Sequence, residues 1–239
     1  IIVKSLGLEA AGYYQAAFST AGSLPGFVLA AMCADFFPRV AAANTDEDGL
    51  RLVESQIQAG LLLTLPALAL LLVLGGWRMR LLFSHSFEPA VPVLVWMVCG
   101  VFVRVISFPM GYFLLARGSS RLVLMAEALG GGSTVLLSLW LTSNRGLAGA
   151  GQAFLASSII YTLCLAIILR AKAGRWVGRF TLLMCLAAAL TLASAKGLAL
   201  LRPEWWWQSL LVAGISLACI FVYMRTMHRE KSSDTNQAD

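Results

Sequence analysis

Two charged side chains lie deep inside segments that are otherwise apolar. Arg104 is the sixteenth residue of the 28-residue segment 89–116, and Glu127 lies inside the segment 122–144. An arginine at the centre of a membrane helix costs about 2.5–3.5 kcal/mol to insert. Arg104 is therefore expected to face the interior of a helix bundle or a wet cavity. Its planar fork of donors suits a phosphate or a carboxylate there.

Two roles remain open for these charges. Glu127 lies six residues beyond Arg121, which is about 9 Å along a helix, and it is the best carboxylate for a purely structural ion pair with Arg104. Ionisable groups inside a membrane are functional by default, which favours the other role. We therefore predict that Arg104 and Glu127 line a substrate cavity.

A second charged group ends the first apolar stretch, in the sequence MCADFFPRVAA at positions 32–42. Asp35 and Arg39 are four residues apart, so on a helix they share a face and can form an ion pair. This pattern is consistent with two interpretations. One is a plain helix end with a screened ion pair. The other is a gate or hinge formed by Asp35, Pro38 and Arg39.

Helix-breaking residues occur inside four of the apolar segments. Pro25, Pro66 and Pro109 each remove a backbone hydrogen bond, and glycines occupy positions 130–132. Interrupted helices are typical of transporters, where freed backbone groups line a cavity, although Gly and Pro are frequent in membrane helices in general. We predict hinge positions at the three prolines.

Catalytic chemistry is poorly represented. His85 and His228 lie far apart, and no nucleophile-elbow, Walker or HExxH motif occurs. The acidic sequence TDEDG at positions 45–49 could be mistaken for a metal-binding motif of sugar transferases. The spacing of Thr45 and Asp48 instead predicts a capping box at a helix start. We predict no catalytic residue, metal site or cofactor.

The elements that must position these residues are membrane helices. The chain of 239 residues is 59% hydrophobic and only 13% charged, and uncharged runs of about 20 residues are long enough to cross a bilayer. We predict an all-α polytopic bundle of about seven spans, at 10–34, 55–77, 89–116, 122–144, 146–169, 180–201 and 205–224. The net charge of +6 flanks these spans, which favours membrane lipids over nucleic acid as its partner.

Lysine and arginine are unequally distributed between the two sides of this arrangement. Alternate connections carry six such residues on one side and eleven on the other, where the C-terminus lies. The positive-inside rule makes the richer side cytoplasmic. Three parts are predicted: residues 1–15 as the end of a preceding helix and an outer loop, residues 16–231 as the seven-span bundle, and residues 232–239 as a cytoplasmic polar tail.

Five stretches occur in an order that resembles a known family: GLEAAGYYQAAFS, ADFFPRVAA, LVESQIQAGLLLTLPAL, LFSHSFEPA and RVISFPMGYFLLARG. Together they are similar to the O-antigen flippases of the polysaccharide transporter family, within the multidrug/oligosaccharidyl-lipid/polysaccharide exporter superfamily. The resemblance runs from the first residue to about Gly118. It implies twelve to fourteen helices in two bundles around a central cavity, of which this chain would be the second bundle, preceded by a missing N-terminal part.

The resemblance also implies a function in the bacterial inner membrane. Such a protein moves an undecaprenyl-diphosphate-linked oligosaccharide from the inner to the outer leaflet, with other polysaccharide-assembly proteins as further partners. Arg104 would then contact the diphosphate or an acidic sugar. A multidrug or small-cation exporter of the same superfamily and a membrane subunit of polysaccharide assembly remain alternatives.

Overall fold

The computed structural model describes residues 2–174, then 178–179, 181–183, 185–186, 188–190 and 192. Within these residues the chain is entirely α-helical apart from short connections and one 3₁₀ helix, and no strand is present among them. The predicted all-α class is confirmed. The predicted seventh span, the tail at 232–239 and most of the sixth span lie outside the described residues.

Four long helices form the described part. They are α1 (Ile2–Ala42), α2 (Asp46–Leu82), α3 (Val91–Ala116) and α4 (Ser120–Ala173), with the 3₁₀ helix His85–Ala90 leading into α3. Each of the four supplies a stretch that is long and apolar enough to cross a membrane. The count of seven spans and the two-bundle arrangement stay predictions, because they depend on residues beyond these helices.

Helix α4 is really two antiparallel arms, which we call the first arm (120–145) and the second arm (147–173). A straight helix of 54 residues would be about 80 Å long, far more than the 30 Å hydrocarbon core of a bilayer. At Gly146 the backbone has φ 59° and ψ −145°, a conformation open chiefly to glycine. The hydrogen bond from Tyr161 to Glu127 across the arms shows that the chain reverses there, at the turn predicted between positions 144 and 146.

The α1–α2 connection is fixed by the residues that were predicted to start a helix. Thr45 is the N-cap of α2, and its hydroxyl oxygen accepts a hydrogen bond from the Asp48 backbone N–H at 3.1 Å. The capping interpretation of TDEDG is thus confirmed. Glu47 forms an ion pair with Arg51 one turn further along α2, at 3.1 Å. Asp46, Glu47 and Asp48 all lie in the first turn of α2, where negative charge is favoured by the positive end of the helix dipole.

Arg117, at the C-terminal end of α3, fastens this connection from the other side. Its Nε lies 2.9 Å from a carboxylate oxygen of Asp46, and its two terminal nitrogens donate to the carbonyls of Ala43 and Thr45 at 3.0 and 2.6 Å. Two connections that were predicted on the same, cytoplasmic, side therefore meet at one end of the bundle.

The prolines and the glycine triplet do not interrupt the helices that contain them. Pro25, Pro66 and Pro109 lie within continuous α1, α2 and α3, and the first arm of α4 runs helically through positions 130–132. Non-helical backbone angles inside the described helices occur instead at Gly7 and Gly146. A hinge role for the prolines remains a prediction.

The outer surface of α4 is strongly apolar. On the first arm, Leu124, Leu136 and Trp140 are 71%, 69% and 64% exposed, and on the second arm Leu163 and Ile167 are 57% and 61% exposed. A water-soluble protein of this size rarely shows so continuous an apolar surface. These faces suit a hydrocarbon environment. A charged side chain at the same depth in the membrane therefore needs polar partners or a cavity of its own.

Candidate functional site

Arg104 lies at the centre of α3 and its side chain is exposed. It follows Val91 by thirteen residues and precedes Ala116 by twelve, so each end of the helix is about 18–20 Å away. The guanidinium is too far from either end to reach the membrane surface easily. The position predicted from the sequence is therefore confirmed as mid-helix, on a surface rather than inside the described core.

The guanidinium of Arg104 rests on two aromatic rings of the second arm of α4. Its central carbon lies 5.5 Å from the centroid of the Phe154 ring and 5.7 Å from that of Tyr161. Such cation–π contacts leave the N–H groups of an arginine free, since the ring face accepts no conventional hydrogen bond. The side chain makes no hydrogen bond or ion pair with any of the described residues, so its donors remain available to a ligand.

Glu127 approaches the same place from the first arm of α4. It is exposed, and one of its carboxylate oxygens accepts a hydrogen bond from the Tyr161 hydroxyl at 2.6 Å. Arg104 and Glu127 are thus brought together, as predicted, but they do not form the direct ion pair that was one of the two alternatives. Tyr161 lies between them and contacts both.

Two glycines provide the space that these rings occupy. A Cβ at Gly100 would lie 2.5 Å from an edge carbon of Phe154, and a Cβ at Gly130 would lie 3.2 Å from the ring of Tyr161. The first of these is far inside van der Waals contact, so Gly100 has to be a glycine for Phe154 to lie beneath Arg104. The first glycine of the triplet 130–132 therefore serves close packing across the arms rather than a break.

Aromatic side chains of α1 extend this surface. Phe18 makes an edge-on contact with Phe154, with ring centroids 6.0 Å apart, and stacks on Tyr14 at 6.4 Å. Phe18 is 45% exposed. The surface formed by Phe18, Phe154 and Tyr161 with Arg104 and Glu127, which we call the Arg104 surface, combines ring faces with one cation and one carboxylate.

The chemistry of the Arg104 surface is recognition rather than catalysis. A guanidinium with free donors binds phosphate or carboxylate oxygens. The exposed ring of Phe18 adds apolar area at this surface, whereas the rings of Phe154 and Tyr161 are buried. No nucleophile–base pair lies among these residues, and the described part of the chain contains no group of three metal-ligating side chains.

The predicted gate residues lie at the other end of α1, well away from the Arg104 surface. Asp35 and Arg39 form the predicted ion pair at 3.1 Å, and their side chains are 74% and 60% exposed. Pro38 is exposed within the same helix. A shallow pocket of about 530 Å³ lies where α1 connects to α2, and it is lined by Arg39, Asn44 and Arg51 among others. A gate or hinge role for Asp35, Pro38 and Arg39 remains a prediction.

Sequence reasoning did not identify Phe154, Tyr161 or Arg117. The two aromatic residues lie seven apart on the second arm, which is two helical turns and therefore one face, but many apolar residues share that spacing. Arg117 was assigned only to a positively charged loop. In each case the decisive partner lies on another helix, up to 74 residues away for the bond from Arg117 to Ala43.

Comparison with known proteins gives a distant similarity to lipid flippases. The chain is 24% identical over 174 residues to the Lipid III flippase of Escherichia coli (strain K12), covering 71% of this chain and 41% of the relative. It matches the Lipid III flippase of Shigella flexneri with the same identity and coverage. The chain therefore spans about two fifths of the length of these relatives. No family model matches it. No solved structure matches it either. The described helices thus belong to a chain that is similar, at a distance, to part of two lipid flippases.

Proposed function

We propose that this chain is part of a flippase that carries a lipid-linked oligosaccharide across the bacterial inner membrane. The observation that carries the proposal is Arg104, an exposed mid-helix guanidinium that lies on two aromatic rings and makes no hydrogen bond or ion pair with the described residues. The distant similarity to proteins named as flippases supports the same class and favours a transporter over an enzyme.

The physical argument starts from the substrate's head group. A diphosphate carrying sugars cannot cross hydrocarbon unaided, because burying its charges without partners costs many kcal/mol. A flippase must therefore offer cations and hydrogen-bond partners midway through the membrane. Arg104 supplies the cation, and the exposed ring of Phe18 supplies an apolar face against which a sugar ring can pack. The apolar exterior of α4 suits contact with lipid chains.

The finer points of the proposal rest on the five stretches that resemble O-antigen flippases. The substrate is an undecaprenyl-diphosphate-linked O-antigen or related polysaccharide unit. The end of the bundle that carries Arg117 and the α1–α2 connection faces the cytoplasm, as does the C-terminus. Asp35, Pro38 and Arg39 act at this cytoplasmic end as a gate, separate from the cavity that Arg104 lines. Other polysaccharide-assembly proteins act beside it.

The test is transport by the complete protein carrying Arg104→Ala. We expect surface polysaccharide in a strain that depends on this protein to fall roughly 10- to 100-fold, which corresponds to losing charge-assisted hydrogen bonds to the substrate. The matched control is Arg145→Ala, because Arg145 is also exposed but lies at the turn between the arms, where it donates to Gln152 at 3.1 Å. Membrane levels are measured by immunoblot. Normal export by a stably inserted Arg104→Ala protein would refute the cavity role.

Export of a drug or small cation is the second candidate, and the exposed carboxylate of Glu127 inside the first arm is the observation that favours it. A cation exporter depends on its carboxylate and gains nothing from a nearby arginine. Glu127→Gln should then abolish transport while Arg104→Ala spares it. The flippase predicts the opposite order of effects.

A further inference from the structure

Tyr161 contacts two opposite charges, Arg104 and Glu127. The face of its ring lies under the guanidinium of Arg104, at 5.7 Å from the guanidinium carbon to the ring centroid. Its hydroxyl donates to Glu127 at 2.6 Å. A single side chain therefore holds the arginine at one point and the carboxylate at another.

The packing around Tyr161 accounts for its ring but not for its hydroxyl. The ring fits against Gly130, where an added Cβ would approach it to 3.2 Å, and the side chain is only 9% exposed. A phenylalanine would fill the same space. The bond to Glu127 is the one hydrogen bond that the hydroxyl makes with the described residues, so it is the reason for a tyrosine here.

Arg104 and Glu127 are long side chains on neighbouring, exposed positions, and in a setting of low dielectric their attraction is strong. A guanidinium prefers a carboxylate in the bidentate geometry to a ring face. If the carboxylate were released, it would compete for the donors that an anionic head group needs. An arginine occupied by an internal carboxylate would become a structural residue and a poor binding site.

We propose that Tyr161 is a positioning residue that keeps Arg104 available to an anionic, phosphate-bearing head group by holding the Glu127 carboxylate away from it. The inference rests on the proposed function, since it concerns the same surface. It adds that the site depends on a hydroxyl that never touches the substrate's phosphate, and that Glu127 is a potential competitor rather than a second ligand for the anion.

A double-mutant cycle tests the proposal. The complete protein is placed in nanodiscs, and inorganic pyrophosphate serves as the probe in calorimetric titrations at fixed ionic strength. The variants are Tyr161→Phe, Glu127→Gln, their combination, and Arg104→Ala. We expect Tyr161→Phe to bind about tenfold more weakly, because one internal charge-assisted contact must be broken to admit the probe. The double variant should bind the probe as Glu127→Gln does, within about twofold, because without the carboxylate the Tyr161 hydroxyl has no competitor to hold away.

The rescue by Glu127→Gln separates positioning from packing, because a packing defect caused by Tyr161→Phe would persist in the double variant. Equal weakening in Tyr161→Phe and in the double variant would overturn the proposal, and so would unchanged binding in Tyr161→Phe. If these results occurred while Arg104→Ala still abolished binding, the proposed function would survive and only the role of Tyr161 would be lost. Absence of pyrophosphate binding in the wild type, with normal export by Arg104→Ala, would overturn both.

Discussion

Two arginines of one helix, Arg104 and Arg117, differ in the partners that the described residues offer them. They lie thirteen residues apart on or at the end of α3, and both rest on aromatic rings. Arg117 also forms an ion pair with Asp46 and donates hydrogen bonds to the carbonyls of Ala43 and Thr45, whereas Arg104 makes no such bond with the described residues. Within the described part of the chain, the same type of side chain is thus held by polar partners at one end of the bundle and only by rings at its centre.

The difference follows from where partners are available. At the end of α3 the chain passes through a connection whose carbonyls are not used by helices, so a guanidinium finds acceptors at little cost. At the centre of α3 most backbone carbonyls are bonded within helices, and the Glu127 carboxylate is bonded to the Tyr161 hydroxyl. A cation kept there without acceptors costs energy, which an anionic ligand of the kind proposed would recover.

The largest expected contrast comes from removing each arginine in turn. Arg117→Ala should lower the stability of the complete protein by about 2–4 kcal/mol, because Asp46 and two carbonyls lose their partner. Arg104→Ala should leave stability unchanged or raise it, since an intramembrane charge is removed, while transport falls. Thermal unfolding in detergent, followed beside the transport assay, measures both. A large loss of stability in Arg104→Ala would contradict the expectation that Arg117 stabilises the fold and Arg104 does not.

The next effect concerns the ring beneath Arg104. Gly100→Ala should destabilise the protein by about 1–3 kcal/mol and reduce transport, because the new methyl group would lie 2.5 Å from Phe154 and 3.3 Å from the backbone of Leu155. Gly132→Ala is the matched control, since no atom lies within 4 Å of the added carbon. Its stability should be equal or slightly higher, as expected for alanine in a helix. Equal behaviour of the two variants would contradict the role assigned to Gly100.

A smaller effect is expected when only the ion-pair partner of Arg117, Asp46, is removed. Asp46→Ala should cost about 1–2 kcal/mol, since it removes the ion pair at 2.9 Å and leaves the two carbonyl bonds. The variant should unfold at a temperature between those of the wild type and Arg117→Ala, with transport per folded molecule unchanged. A loss as large as that of Arg117→Ala would mean that the ion pair alone carries the contact.

The smallest effect is expected at the other end of α1. Asp35→Ala should change stability by less than about 0.5 kcal/mol, because its pair with Arg39 is largely exposed, at 74% and 60%. Transport then reports on the proposed gate independently of folding. Reduced transport with unchanged stability supports the gate, while wild-type transport in both Asp35→Ala and Arg39→Ala would leave this group as a plain helix end.

Features that depend on residues close in the chain were predictable. The ion pair between Asp35 and Arg39, the N-cap at Thr45 and the turn near Gly146 each follow from spacings of about four residues or fewer and from the backbone preferences of the residues concerned. The position of Arg104 at mid-helix followed from the length of its apolar segment. The role of the glycine triplet was not predictable in this way, since its sequence does not reveal that a ring lies against Gly130.

The sequence by itself determined that this is an all-helical membrane protein with an arginine and a glutamate inside apolar segments, because hydrophobic length and charge are local properties. Only the tertiary structure decided that Tyr161 contacts both of those charges, and that among the described residues Arg117 has polar partners while Arg104 has none. The contact from Glu127 to Tyr161 spans 34 residues and that from Arg117 to Ala43 spans 74. No local pattern encodes such pairings, since they arise when antiparallel helices settle into one register.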